Sequence, residues 1–190
     1  MYRLVAALAL VLGLALPASA EEHLVIELKS GRVVIDLLED VAPGHVERVI
    51  ALTKSGAYDG IAFHRVIDGF MAQTGDVQYG KVAADGSVDR QAGFGGSDLP
   101  DLQAEFSNIP FERGVVGAAR GGHSVNSANS QFFIMFDRNS GLDGSYTVWG
   151  RVIEGMEHVD NIKLGARNQN GAVSRPDRMI KVYLEAAPAG

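Results

Sequence analysis

The sequence predicts an all-β domain, a barrel or a sandwich of short strands carrying two helices. Three observations support this. Runs of alternating or β-branched residues recur along the chain, turn dipeptides separate them, and only two stretches place apolar residues at helical spacing. The pattern's period leaves barrel and sandwich open; a closed barrel removes the exposed edges that promote aggregation.

A targeting segment precedes the fold. Arg3 gives a short positive start, residues 4–16 form an unbroken run of apolar and small residues, and Ala18-Ser19-Ala20 supplies a small-x-small cleavage pattern. The expectation is a signal peptide over residues 1–20, cleaved after Ala20, followed by one domain over residues 21–190. The apolar run is shorter than the roughly 20 residues of a spanning helix, so the mature protein is expected to be periplasmic or secreted and not inserted in a membrane. Loss of Arg3 takes the net charge from −6 to −7, a balance that disfavours nucleic acid as a partner. The chain has no cysteine, which excludes a disulfide framework, thiol catalysis and thiolate metal sites.

In the mature chain, Leu24, Ile26 and Leu28 alternate, Ser30-Gly31 turns, and residues 33–38 form a second strand-like run. Ala42-Pro43 opens a helix with Val46, Val49 and Ile50 at helical spacing and Gly56 placed to end it. Residues 58–76 return to strands punctuated by Asp59-Gly60 and Asp68-Gly69. Residues 77–99, rich in glycine and poor in large apolar residues, read as a long surface loop. Strands are expected again over residues 115–119, 131–136 and 146–152, a second helix over 154–164, and a last strand over 179–184.

Chemistry concentrates in Phe63-His64-Arg65-Val66-Ile67-Asp68-Gly69-Phe70-Met71-Ala72-Gln73-Thr74-Gly75-Asp76. On two strands joined at Asp68-Gly69, the period of two brings Arg65, Met71 and Gln73 to a common face, with Phe70 near the turn. Taken alone, Arg65 reads as an exposed arginine beside ordinary core aromatics, and only its context overturns that. The five histidines form no two-histidine metal pattern, and His64 reads as a packed strand residue. Gly93-Phe94-Gly95-Gly96 lacks the context of a dinucleotide loop, and the serines near His123 lack a nucleophile turn.

The segment closely resembles the signature of the cyclophilin family. Gly114-Val115-Val116-Gly117-Ala118-Ala119-Arg120 and Ser130-Gln131-Phe132-Phe133-Ile134 resemble its next two signatures, and Leu142-Asp143-Gly144 with Val148-Trp149-Gly150-Arg151-Val152 resembles its closing region. The matches run in the family's order over nearly the whole mature chain. The resemblance implies a closed eight-stranded antiparallel barrel capped by two helices, and peptidyl-prolyl cis-trans isomerase activity on proline-containing polypeptides. It also implies no cofactor and no metal; a monomer is expected. Arg65 is the implied catalytic residue. Phe70, Met71, Phe133, Leu142 and Tyr146 are implied to line the proline pocket, and Gln73 and Gln131 to bond the substrate backbone. Ala119, Arg120 and Gly121 are implied to form the edge along which the preceding peptide lies.

The reaction makes and breaks no covalent bond. Resonance opposes rotation about a peptide C–N bond by about 18–20 kcal/mol, and uncatalysed X-Pro exchange takes tens to hundreds of seconds. A guanidinium donating toward the proline nitrogen stabilises the twisted amide, in which the lone pair is localised, more than the planar one. The chain departs from the family pattern at Gly141, where many members carry tryptophan, at Tyr146, where they carry histidine, and at Arg120, where some carry asparagine. Gly141 predicts weak inhibition by cyclosporin-like ligands. A proline-peptide-binding chaperone with incidental isomerase activity is the alternative reading, since pocket and edge serve either role.

Overall fold

The computed structural model describes residues 22–187; the signal peptide expected over residues 1–20 lies outside them. Eight strands form one antiparallel sheet: β1 (Glu22–Leu28), β2 (Gly31–Leu37), β3 (Arg65–Ile67), β4 (Met71–Thr74), β5 (Val115–Ala118), β6 (Phe132–Met135), β7 (Val148–Glu154) and β8 (Lys181–Ala186). Their spatial order is β3-β4-β6-β5-β7-β2-β1-β8. The expected closed barrel is corrected here: the edge strands β3 and β8 share no ladder. Irregular backbone spans the gap instead, with Phe63 N–H donating to Asp177 C=O at 2.9 Å and Met179 N–H to Ile61 C=O at 2.9 Å.

Helix α1 (Pro43–Lys54) forms where the sequence placed it. Pro43 occupies the first turn and Gly56, at φ +72°, follows the end. Helix α2 (Met156–Asp160) is much shorter than the 154–164 expected. Strand β7 takes Glu154 into its pairing with Val34, and Lys163 N–H turns away to bond Asp177 Oδ2 at 2.8 Å. Long-range pairing overrides local helical spacing at both ends. Residues 77–99 form no strand or helix, as their glycine content predicts.

Strand alternation divides the apolar residues between two faces. Ala72, Val116, Phe132, Ile134 and Trp149 belong to the main core, under α1. Met71, Val115, Phe133, Met135 and Val148 belong to a smaller cluster on the other face with Phe111. That second cluster forms the floor of the candidate site.

Candidate active site

Register builds the site. Arg65 on β3 pairs with Gln73 on β4, Gln73 with Phe133 on β6, and Phe133 with Gly117 on β5. One cross-strand row therefore holds the cation, the amide and the aromatic ring on a single face. Gly117 is required by space: a Cβ there would lie 2.6 Å from Phe133 and Phe111 ring atoms. Phe133 is 5% exposed, stacked on Phe111 at 5.7 Å and edge-on to Tyr146 at 5.9 Å, so its position is set by two aromatic partners.

Above this row lies a cavity of about 130 Å³, and every residue that lines it is one the sequence singled out. Arg65, Met71, Gln73 and Phe133 come from the row and its neighbours, and Phe70 from the β3–β4 turn. Ala119 and Arg120 follow β5, while Leu142 and Tyr146 come from the 3-10 turn at Ser140–Leu142 and the segment after it. Gly121 and Gln131 line a second, larger cavity of about 450 Å³, which shares Gln73, Ala119 and Arg120 with the first. All the expected site residues therefore line one or both of two adjoining cavities.

The hydrogen bonds have a defined direction. Arginine only donates, so Arg65 Nη1, 3.2 Å from Gln73, fixes the Gln73 oxygen toward it. Gln73 Nε2 then donates to Gln131 Oε1 at 2.9 Å, and Gln131 Nε2 to Gly95 C=O at 2.7 Å. Each amide keeps one N–H without a partner among the described residues. Arg65 also donates from Nε to Asn170 C=O at 3.0 Å, from Nη2 to Asn170 Oδ1 at 3.1 Å, and from Nη1 to Met71 Sδ at 3.8 Å. Of its five N–H groups, these contacts leave one on Nη2 unpartnered among the described residues. No carboxylate among the described residues pairs with it. Burial pulls its pKa below the ordinary value, with Tyr146 opposing, yet a guanidinium stays charged wherever the protein is folded.

Other groups hold the rims. Arg120 folds over the Tyr146 ring at 4.4 Å and donates to Ser145 C=O at 3.1 Å, closing one side of the smaller cavity. Its backbone N–H and C=O are unbonded among the described residues, while Ala119 N–H goes to Gln131 C=O. The Asp76 carboxylate, 0% exposed, accepts from the N–H groups of Gln78, Tyr79, Gly93 and Gly95. It thereby locks the long loop beside Gln131 and presents Phe94, 87% exposed, at the rim of the larger cavity. His64 is buried beside Arg65 in the chain; burial lowers its pKa against the pull of Asp76.

No local pattern assigns a role to Asn170, Asp76 or Phe111. Asn170-Gly171 is a turn dipeptide that marks the loop, but nothing local announces that this loop reaches β3.

The model of the cyclophilin type peptidyl-prolyl cis-trans isomerase family matches residues 23–184. The chain belongs to the cyclophilin family. It is 53% identical over 169 residues to a Brucella suis protein named as a peptidyl-prolyl cis-trans isomerase, covering 89% of this chain and 85% of that one. It is 36% identical over 137 residues to a Gallus gallus peptidyl-prolyl cis-trans isomerase-like protein, covering 70% of this chain and 76% of the other. Among solved structures, a Hirschia baltica cyclophilin aligns with a TM-score of 0.70 at 26% identity, over 88% of this chain and 76% of that one. A Cryptosporidium parvum cyclophilin, solved in the presence of the dipeptide Ala-Pro, aligns with a TM-score of 0.72 at 22% identity, over 87% of this chain and 99% of that one. This cyclophilin is a peptidyl-prolyl cis-trans isomerase, and the expected family and activity hold.

Proposed function

We propose that the cyclophilin turns X-Pro bonds in exported polypeptides with Arg65 as its catalytic residue. The observation that carries this is a guanidinium that, among the described residues, pairs with no carboxylate and keeps one N–H unspent beside a slot lined by Phe70, Met71, Phe133, Leu142 and Tyr146. The proline ring rests against Phe70, Met71, Phe133, Leu142 and Tyr146. Arg65 donates toward the proline nitrogen as the amide leaves planarity, weakening the resonance that opposes rotation. Gln73 and Gln131 bond the substrate backbone through their spare amide groups. The residues before proline lie along Ala119, Arg120 and Gly121, where the free Arg120 backbone groups accept a strand-like partner. Main-chain bonding at that edge makes the enzyme tolerant of what precedes proline.

A hundred-thousand-fold acceleration requires about 7 kcal/mol of preferential stabilisation. One preorganised donor in a site of this kind supplies about 3–4 kcal/mol. The grip of slot and edge on either side of the bond supplies the remainder.

Titration of the ¹⁵N-labelled protein with a short Ala-Pro peptide tests the assignment. Shift changes are expected at Phe70, Ala119, Gln131 and Phe133; changes confined to another surface would overturn it. Export rests on the leader composition of residues 1–20. Mass spectrometry of the secreted chain is expected to find its N-terminus at Glu21, and a mature chain that still begins at Met1 removes the export reading.

A further inference from the structure

We infer that Asn170 is a positioning residue for the isomerase reaction, holding Arg65 with two neutral acceptors so that the cation is oriented without being neutralised. This rests on the reading that Arg65 acts on the amide. The Nε and Nη2 edge of a guanidinium is the fork that a carboxylate ordinarily occupies bidentately. Here both acceptors belong to Asn170: its C=O, 3.0 Å from Nε, and its Oδ1, 3.1 Å from Nη2. A carboxylate there would set a full negative charge against the cation and cancel much of its field at the slot. Two dipoles fix the same orientation and leave the charge to act on substrate.

The backbone is shaped for this grip. Asn170 sits at φ +52°, ψ +35°, a left-handed conformation that asparagine tolerates better than most residues and that aims its C=O and side-chain oxygen at one guanidinium. The loop around it is stitched to β3, the strand that carries Arg65. Val66 N–H donates to Gly171 C=O at 2.8 Å, Val173 N–H to His64 C=O at 3.1 Å, and Gly165 N–H to Val66 C=O at 2.9 Å. Gly171 follows because space demands it: a Cβ there would lie 2.4 Å from Ile67 Cγ1. Gln73 holds Nη1 from the opposite side, so the guanidinium is gripped on two edges and offers its remaining N–H in one direction.

Two variants test the proposal, Asn170→Asp and Asn170→Gly, each read by NMR line-shape analysis of an isotope-labelled Ala-Pro peptide. That experiment separates the rate of rotation on the enzyme from peptide Kd. Aspartate is isosteric, tolerates the left-handed backbone and gains an ion pair. Its Tm is expected at or above wild type while the bound rotation rate falls about tenfold or more, with Kd little changed. Glycine keeps the backbone acceptor and loses only Oδ1. Its Tm is expected slightly below wild type and its rate about threefold lower. Between the two variants rate and stability then run in opposite orders, the aspartate protein being the more stable and the slower, and the Arg65 ¹⁵Nε shift moves in both. A merely structural role makes the rates follow Tm, so an Asn170→Asp protein as fast as wild type overturns the proposal. Arg65→Ala, measured in parallel, separates the two readings. If it is as fast as wild type, the Arg65 assignment fails. If it is slow while Asn170→Asp is fast, only the Asn170 proposal fails.

Discussion

Replacing Glu105 by alanine removes the charge that caps α1. Ala42 offers that helix no side-chain cap, so its first N–H groups depend on a residue 61 positions away. Glu105 Oε1 accepts from Gly44 N–H at 3.0 Å, and Oε2 from His45 N–H at 3.0 Å and His45 Nδ1 at 2.5 Å. Glu105 N–H in turn donates to Thr147 Oγ1 at 2.9 Å, tying the capping residue to the residue that precedes β7. A lost cap costs about 1 kcal/mol and a hydrogen bond to a charged group about 1.5–3 kcal/mol. The carboxylate is 24% exposed, so water replaces part of this and the total is about 3 kcal/mol. For a domain of this size that lowers Tm by about 6–12 °C. Burial raises the Glu105 pKa, but His45 and the two backbone N–H groups outweigh it and hold the carboxyl below its ordinary value. A depressed folded pKa contributes stability in full above the unfolded value of about 4.3 and loses it as pH falls through the folded value. The Tm gap between wild type and variant should therefore be constant near neutrality and close below about pH 4. Thermal unfolding followed by circular dichroism across that range reads it. A neutral-pH loss under about 2 °C, or a gap that widens in acid, would show that Glu105 does not cap α1 as a carboxylate.

Asp76→Asn replaces two accepting oxygens with one, orphaning some of the four backbone N–H groups it holds. A loss of about 3 kcal/mol is expected, with faster amide exchange over residues 77–96, and unchanged exchange there would show that the clamp is dispensable. Phe133→Leu leaves a gap beside Phe111 and Tyr146. Calorimetry should find proline-peptide Kd weakened about tenfold, whereas an unaltered Kd would place the proline ring elsewhere. At Gly141 a Cβ meets only Asn139 Oδ1, at 3.2 Å, so Gly141→Trp should fold and gain inhibition by cyclosporin-like ligands. Nanomolar inhibition of the wild type, checked in the same peptide assay, would contradict the weak binding expected of it.

What the sequence made legible was local. Arg65, Phe70, Met71 and Gln73 lie on two strands joined by one turn, so period and turn chemistry place them together without tertiary knowledge. Phe133, Gln131 and the stretch from Ala119 to Gly121 entered through family resemblance, and β-sheet register then set them beside that hairpin. The parts that escaped depend on contacts distant in sequence. Asn170 reaches Arg65 across 105 positions, Glu105 caps a helix it does not precede, and Asp76 gathers N–H groups from a loop with no pattern of its own. The shortening of α2 and the open β3–β8 edge share that origin, because strand pairing and loop anchoring decide them more than helical spacing or the count of strands.

In the proposed mechanism the Arg65 guanidinium, with its spare donor beside an apolar slot, lowers the barrier to amide rotation. The bound-state exchange rate of an Ala-Pro peptide on Arg65→Ala, set against wild type with Kd measured in the same samples, tests it most directly. A rate lower by about a hundredfold to a thousandfold is expected, with Kd shifted only a few-fold. A variant that binds the peptide and turns it at the wild-type rate would contradict it.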